Sequence, residues 1–497
     1  MPRSRHAAPQ AEDDYLLSLG YEPELTRRMG GFGNFAVSFS VISVLSGCMT
    51  LFGLGLVSGG PAVMMWGWAA VGLAVLLVGM ALAEVTSAYP TSGALFYMSR
   101  QLGGPRWGWL TGHLNLLGLL GGIAGIDYGA ASFIAAFCGL QWGLVPTPGT
   151  ILAIFAGVLL LHALLNVFGV RVVSVLNSIS VWWHLLGVAL IVGVLAVVPS
   201  HHQSASWVFT HFENGTGWSS PIYASAIGLL LGGYTFCGYD ASAHMSEETT
   251  DARVTAPRGI VRSIWVSLLA GLVLLGGLLF AVQDYAGTAG AALPPAQIFL
   301  DALGTGGAKA LLLVVIGAQL FCGSAETTAA SRMIYSFSRD GALPGSATWR
   351  RVSAAGTPVA AVWLAVAVAF VLALPSLWSA TAYGAVTAIN VIGMTPSYII
   401  PVFLKLRYPE KFTPGPWTLG RWSRPVGIAA VVWVAVLTVL VCLPQRAPVT
   451  VDTFNYAPIA GLAVLALAWG WWKAAGDKFN VPVVSDPTMT KIAAEIV

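Results

Sequence analysis

The sequence predicts an all-α integral membrane protein with 12 transmembrane helices. Three observations carry that prediction: scarce charge, a series of apolar runs long enough to cross a bilayer, and a one-sided distribution of Lys and Arg. Of 497 residues, 56% are hydrophobic and 9% are charged, where a soluble globular protein carries roughly 25% charged residues. A chain this apolar cannot stay hydrated as an open coil, and as a soluble enzyme it would expose large greasy patches. The 24 Lys and Arg exceed the 21 Asp and Glu by only three, too little to mark a nucleic-acid partner.

A helical span needs about 20 apolar residues. Twelve such runs are read at roughly 34–57, 62–86, 107–138, 150–168, 175–198, 222–243, 259–282, 308–335, 358–375, 380–403, 425–443 and 455–472, called spans 1 to 12 below. Turn-rich breaks separate them, as at Gly59-Gly60-Pro61, Pro146-Thr147-Pro148-Gly149 and Pro414-Gly415-Pro416. With the N-terminus placed in the cytoplasm, 22 of the 24 basic residues fall on the inner side, from Arg3, Arg5, Arg27 and Arg28 through Arg171 to Lys473, Lys478 and Lys491. Only Lys309 and Arg446 fall outside. This is the asymmetry of the positive-inside rule, and it requires an even number of spans with both termini cytoplasmic. The expected organisation is a cytoplasmic segment 1–30, a transmembrane domain over 31–443 and 455–472, and a cytoplasmic tail 473–497. No signal peptide is expected, because residues 1–30 are polar and charged. The five cysteines, none in a CxxC pair, point to neither a disulfide framework nor a metal cluster.

Two spans have weak interiors. Span 1 contains Ser38-Phe39-Ser40-Val41-Ile42-Ser43-Val44-Leu45-Ser46-Gly47-Cys48, and span 6 contains Gly232-Gly233-Tyr234-Thr235-Phe236-Cys237-Gly238-Tyr239-Asp240. Glycines and an acid are costly within a helix, so these segments read either as helix interruptions where a ligand meets backbone or as close helix contacts. Spans 1 and 6 open two five-span halves, about 31–198 and 222–403. Inverted repeats place discontinuous helices at such corresponding positions.

Three further motifs carry a family resemblance: Ala83-Glu84-Val85-Thr86-Ser87-Ala88-Tyr89-Pro90-Thr91-Ser92-Gly93 after span 2, Tyr239-Asp240 through Ser246-Glu247-Glu248-Thr249 after span 6, and Ser331-Arg332-Met333-Ile334-Tyr335 through Arg339-Asp340-Gly341 after span 8. Together they resemble the amino acid–polyamine–organocation transporters, nearest the amino acid/choline permease branch that includes 4-aminobutyrate and choline permeases. The resemblance covers about residues 25–475. It implies a LeuT-like fold of five plus five inverted-repeat helices with two extra C-terminal helices, 425–443 and 455–472. It also implies a substrate site between spans 1, 3, 6, 8 and 10. Carried over, it puts the unwound part of span 1 at Ser43, Ser46 and Gly47, where amides would meet a carboxylate. The unwound part of span 6 falls on Phe236, Gly238, Tyr239 and Asp240, with Phe236 as the gating aromatic. Many relatives have Gly-Ser/Thr-Gly in span 1. Ser43-Val44-Leu45-Ser46-Gly47 departs from that run and leaves room for a substrate without a carboxylate.

Charged residues within spans are costly and mark function. Asp127 in span 3 reads either as a cavity acid for an ammonium group or as a structural hydrogen-bond partner; Glu326 in span 8 is a second acid for substrate or coupling. Asp240 and Glu247 read as inner-gate partners of Arg332 or Arg28, or as helix-end caps, and Glu84 as architectural. His184 sits in the apolar run of span 5, and imidazole changes charge near neutral pH. In proton-driven relatives a lysine of this helix replaces bound sodium, and His184 falls within a residue of it. It therefore reads as a proton carrier, a placeholder for the cation, or a hydrogen-bond cross-link. A sodium site would instead draw on Ser324, Thr327 and Thr328. His113 and His162 read as packing residues, and no metal site is expected.

The expected function is secondary active, proton-coupled uptake of a small amino acid or amine by alternating access. The alternatives are sodium-coupled or exchange transport of choline, a polyamine or another organic cation, and a transport-inactive ligand sensor. No enzyme activity, cofactor or nucleic-acid partner is expected; the partners are the substrate and the lipid bilayer, with a monomer or weak homodimer. The multi-pass protein is placed in the plasma membrane, and a composition rich in Ala, Gly and Trp points to a bacterial inner membrane.

Overall fold

The structure is a computed structural model that describes residues 7–168, 170–354, 356–379, 382–451 and 453–480. Arg3, Arg5 and Lys491, the side chain of Arg171, and the tail from 481 lie outside the described residues.

Eleven helices among the described residues are long and apolar enough to cross a membrane. They are Gly31–Thr50, Gly60–Ala88, Pro105–Trp142, Pro148–Val167 and Val172–Val197 for spans 1 to 5, and Ala252–Phe280, Pro294–Arg339, Val359–Leu377, Tyr383–Arg407, Gly420–Cys442 and Ala457–Lys478 for spans 7 to 12. The twelfth apolar run, span 6, is split into Pro221–Gly228, Leu230–Thr235 and Ala241–His244. The expected twelve are thus eleven long helical runs, span 1 among them with a break of its own, and one run split into pieces. Leu229 keeps right-handed helical torsions, so the first two pieces run on. The interruption falls over 236–240, where Gly238 adopts φ +93°, a left-handed conformation that favours glycine. Span 1 has a matching defect: its helix stops at Ile42 and restarts at Val44 across Ser43, at φ 34° and ψ 84°.

Local sequence explains the other boundaries. Span 4 starts where Thr147 Oγ1 accepts from the Thr150 amide with Pro148 in the first turn, a strong start signal. Span 3 is a single 38-residue helix. At about 1.5 Å per residue it outreaches a hydrocarbon core of about 30 Å, so it must tilt or project. Span 8 follows a shorter helical run that meets it at Gly304.

Burial separates centre from periphery. The most apolar window of span 1 is 89% buried and that of span 10 is 83% buried, against 17% for span 12. Spans 11 and 12 expose Val432, Val436, Val439, Leu462 and Leu467, a surface suited to lipid rather than water. Span 2 packs on span 7, and span 3 packs on span 8. These are equivalent members of the two five-span halves.

One face of the molecule, where the predicted inner loops gather, carries an added layer. The helix Ala7–Ser18 docks there, with the Tyr15 hydroxyl donating to the Ala88 carbonyl at 2.8 Å and the Tyr97 hydroxyl donating to the Leu19 carbonyl at 2.9 Å. We call it the basic face.

Candidate functional site

The two helix breaks face one another. Below them, toward the basic face, spans 1 and 6 are stitched together. The Ser38 hydroxyl donates to the Tyr239 carbonyl at 2.7 Å and accepts from the Ser242 amide at 2.8 Å, while Asn34 Nδ2 donates to the Ser242 carbonyl at 3.0 Å. Between the breaks lies a cavity of about 20 Å³ bounded by Ser46, Gly47, Tyr234, Gly238, Glu326 and Asn390, with Cys237 and Cys322 also on its wall. That volume holds about one water molecule, so the site is contracted.

Glu326 dominates its chemistry. The residue is 1% exposed, and neither carboxylate oxygen has a hydrogen-bond partner. It is held close to span 3, since a Cβ on Gly122 would overlap its Oε1. A buried carboxylate without partners is expensive. It is relieved by a proton or by a cationic group entering the cavity.

Asp127, the other acid singled out in the sequence, is placed differently. Its neighbour Ile126 lines the cavity, whereas Asp127 turns away to His162 of span 4, with Oδ2 at 2.9 Å from Nδ1 and both side chains wholly buried. Gly323 makes room for the pair, because a Cβ there would overlap Asp127 Oδ1 and crowd the imidazole. The structure therefore brings Asp127 to the scaffold of spans 3, 4 and 8, and His162 has a specific partner rather than simple packing.

Phe236 is also away from the cavity. Its ring lies on Trp68 of span 2 at a centroid distance of 4.4 Å. The aromatic on the cavity wall is Tyr234, two residues earlier. Tyr239 stacks on Tyr398 of span 10 at 4.4 Å. Of the substrate candidates, Ser46, Gly47, Gly238 and Glu326 line the cavity, whereas Ser43, Asp127, Phe236 and Tyr239 do not.

Ser43, at the break of span 1, contacts His184 instead: Ser43 Oγ and His184 Nε2 are 2.6 Å apart. His184 Nδ1 lies 2.8 Å from the Ser180 carbonyl. A carbonyl only accepts, so Nδ1 carries a hydrogen, and in neutral imidazole Nε2 then accepts from the Ser43 hydroxyl. The side chain of span 5 thus reads the one left-handed residue that interrupts span 1.

The ion pairs of the basic face differ in partner from the sequence expectation. Arg332 pairs with Glu248 at 2.8 Å, both side chains 0% exposed, and Glu247 pairs with Arg339 at 3.0 Å. The shift of one residue follows from the 3₁₀ turn Ser246–Glu248, whose tight winding sends adjacent carboxylates to different turns of span 8. Asp240 pairs with neither arginine. Its oxygens accept from Asn115 Nδ2 at 3.0 Å and the Tyr398 hydroxyl at 3.1 Å, and His244 Nε2 lies 3.2 Å away. Asn115, Tyr398 and His244 were not singled out in the sequence; polar side chains in otherwise apolar spans were the available signal. Glu84 binds Lys405 at 2.6 Å and the Ser423 hydroxyl at 2.6 Å, joining spans 2, 10 and 11.

On the opposite face, a second cavity of about 340 Å³ lies above Tyr234. Tyr234 borders both cavities. Two interrupted helices around a buried acid, sealed on one face and approached from the other, are the architecture of the inverted-repeat transporter fold. The comparisons give the family. A model of the amino acid permease family matches residues 29–465. The amino-acid permease BAT1 of Arabidopsis thaliana is 39% identical, covering 92% of this chain and 93% of its own length. Its homologue in Oryza sativa is 39% identical over 95% of each chain. The GABA-specific permease of Saccharomyces cerevisiae is 30% identical over 95% of this chain and 86% of its own. The chain belongs to the amino acid permease family and is a multi-pass membrane protein. These relatives are plant and fungal, so they lend no support to a bacterial source.

Proposed function

We propose that the protein imports a small amino acid by proton-coupled alternating access, with the basic face and both termini toward the cytoplasm. The observation that carries this reading is Glu326, a buried carboxylate with two unpartnered oxygens in the cavity between the helix breaks. Glu326 receives the substrate ammonium, and Ser46 and Gly47 on the same wall receive the carboxylate once the contracted cavity of about 20 Å³ widens. The structure is closed toward the basic face and contracted at its centre, and entry is from the opposite side. Substrate binding moves spans 1 and 6 against the scaffold of spans 3, 4, 8 and 9.

His184 supplies the coupling. Protonation gives Nε2 a hydrogen, so Ser43 Oγ must switch from donor to acceptor at the span 1 break. Sodium coupling is the second reading: the Thr327 hydroxyl of span 8 is buried without a hydrogen-bond partner, and Thr328, which donates to Asn166 Oδ1 at 2.6 Å, keeps its oxygen lone pairs for a cation.

Reconstituted protein tests the reading. Uptake of a labelled amino acid should follow an imposed proton gradient, Glu326→Gln should abolish it, and His184→Gln should uncouple it from pH. Uptake that follows sodium and ignores the proton gradient overturns the coupling assignment, and full activity in Glu326→Gln overturns the site.

A further inference from the structure

The cavity of about 340 Å³ lies between the upper ends of spans 1, 6 and 10 and the loop joining spans 11 and 12. It is within the usual size range of small-molecule sites, about 300–1,000 Å³, whereas the central cavity holds about one water. In this conformation an amino acid fits the first and not the second. The loop contributes Gln445, Arg446, Asn455 and Tyr456 to the wall, facing Tyr234 and Thr387.

This wall is prebuilt. The Tyr223 hydroxyl donates to the Pro444 carbonyl at 2.6 Å, the Ala447 amide donates to the Thr216 carbonyl at 2.8 Å, and Asn455 Nδ2 donates to the Val441 carbonyl at 2.6 Å. Arg446 is therefore carried on a loop fixed on both sides. The described residues of the wall include this one cation and no Asp or Glu. The central cavity has the opposite pattern, with Glu326 and no base on its wall. Among the described residues, Tyr234 is the one shared between the two.

We propose that this vestibule is an outer recognition site for the carboxylate of an amino acid, with Arg446 as its specificity-determining residue. The inference rests on the reading of Glu326 as the ammonium site. A zwitterion meets Arg446 with its carboxylate and then passes Tyr234 with its ammonium leading toward Glu326. An amine lacking a carboxylate gains nothing from Arg446, so the order of charges selects amino acids over choline-like or polyamine cations. Arginine suits the task because its planar guanidinium pairs with a carboxylate through two donors.

The test uses full-length protein in liposomes and reads initial uptake of a labelled amino acid, with its decarboxylated amine as competitor. Arg446→Gln should raise the KM about three- to tenfold, the range for one charge-assisted contact at a wet site. Maximal rate and the inhibition constant of the amine should stay at the wild-type level, and Arg446→Lys, which keeps the charge without the two-donor fork, should recover only part of the KM. An unchanged KM overturns the proposal, as does a parallel rise in KM and in the amine's inhibition constant, which would mark a structural effect. Wild-type protein that takes up no amino acid would instead overturn the functional reading itself. Thermal melting should be the same in all three proteins.

Discussion

The two ends of the pathway are built to different thickness. Above the central cavity, Tyr234 borders both the Glu326 site and a cavity of about 340 Å³. Below it, four layers follow in order: the Ser38–Ser242 stitch, the Asp240 network with Asn115, Tyr398 and His244, the pairs Arg332–Glu248 and Arg339–Glu247, and the docked helix Ala7–Ser18. The Tyr234 ring is what the two cavities share at the thin end, whereas buried ion pairs close the thick end. That asymmetry leaves the described conformation closed by buried charge on one side and by far less structure on the other.

The largest effect should come from breaking the lock. Glu248→Gln leaves the Arg332 guanidinium buried without a counter-charge, which costs about 3–5 kcal/mol. A fall in melting temperature checks this, and a double variant, Glu248→Leu with Arg332→Met, should restore most of the loss. Next is the joint between the two ends. Gly238→Ala forces a side chain into a left-handed backbone and against Val41, a strain of about 1–2 kcal/mol, so substrate affinity measured by thermal shift should drop about tenfold.

Tyr234→Ala should act on the thin end alone. The native thiols Cys237 and Cys322 on the cavity wall should then react several-fold faster with a thiol reagent applied opposite the basic face. Unchanged reactivity would mean the barrier is thicker than one ring.

The smallest effect concerns pH at the thick end. Asp340 caps the basic end of span 8 and accepts from the Tyr21 hydroxyl at 2.8 Å. Burial pushes its carboxyl up to about 7, with Arg339 and the Tyr21 hydroxyl opposing and Glu247 adding to the rise. A raised acid favours the folded state while protonated. Its stabilisation is therefore complete below its ordinary value of about 4 and is lost as pH rises through about 7. The melting temperature should decline across that window, and Asp340→Asn should flatten the decline.

Much of this was legible in residues alone. Apolar runs of the right length placed the spans, because a bilayer imposes length and backbone satisfaction on every crossing segment. The glycines around 232–238 and the serines around 43 marked both interruptions, since a helix interior rarely tolerates them together. The acid facing the cavity was not legible. Asp127 and Glu326 had equal claims in sequence, and only helix rotation and a partner 35 residues away, His162, separate them. Which aromatic lines the cavity was not legible for the same reason: the sequence pointed to Phe236, and the torsions of the break place Tyr234, two residues earlier, on the wall.

What the sequence determined by itself was the class, the spans and the places where helices fail, because these follow from local composition and the solvent the chain must satisfy. Tertiary structure alone decided which acid stays unpaired, which arginine meets which glutamate, and which face is sealed. Those outcomes depend on the rotation and register of helices whose contacting residues are far apart in the chain, and no local pattern encodes them.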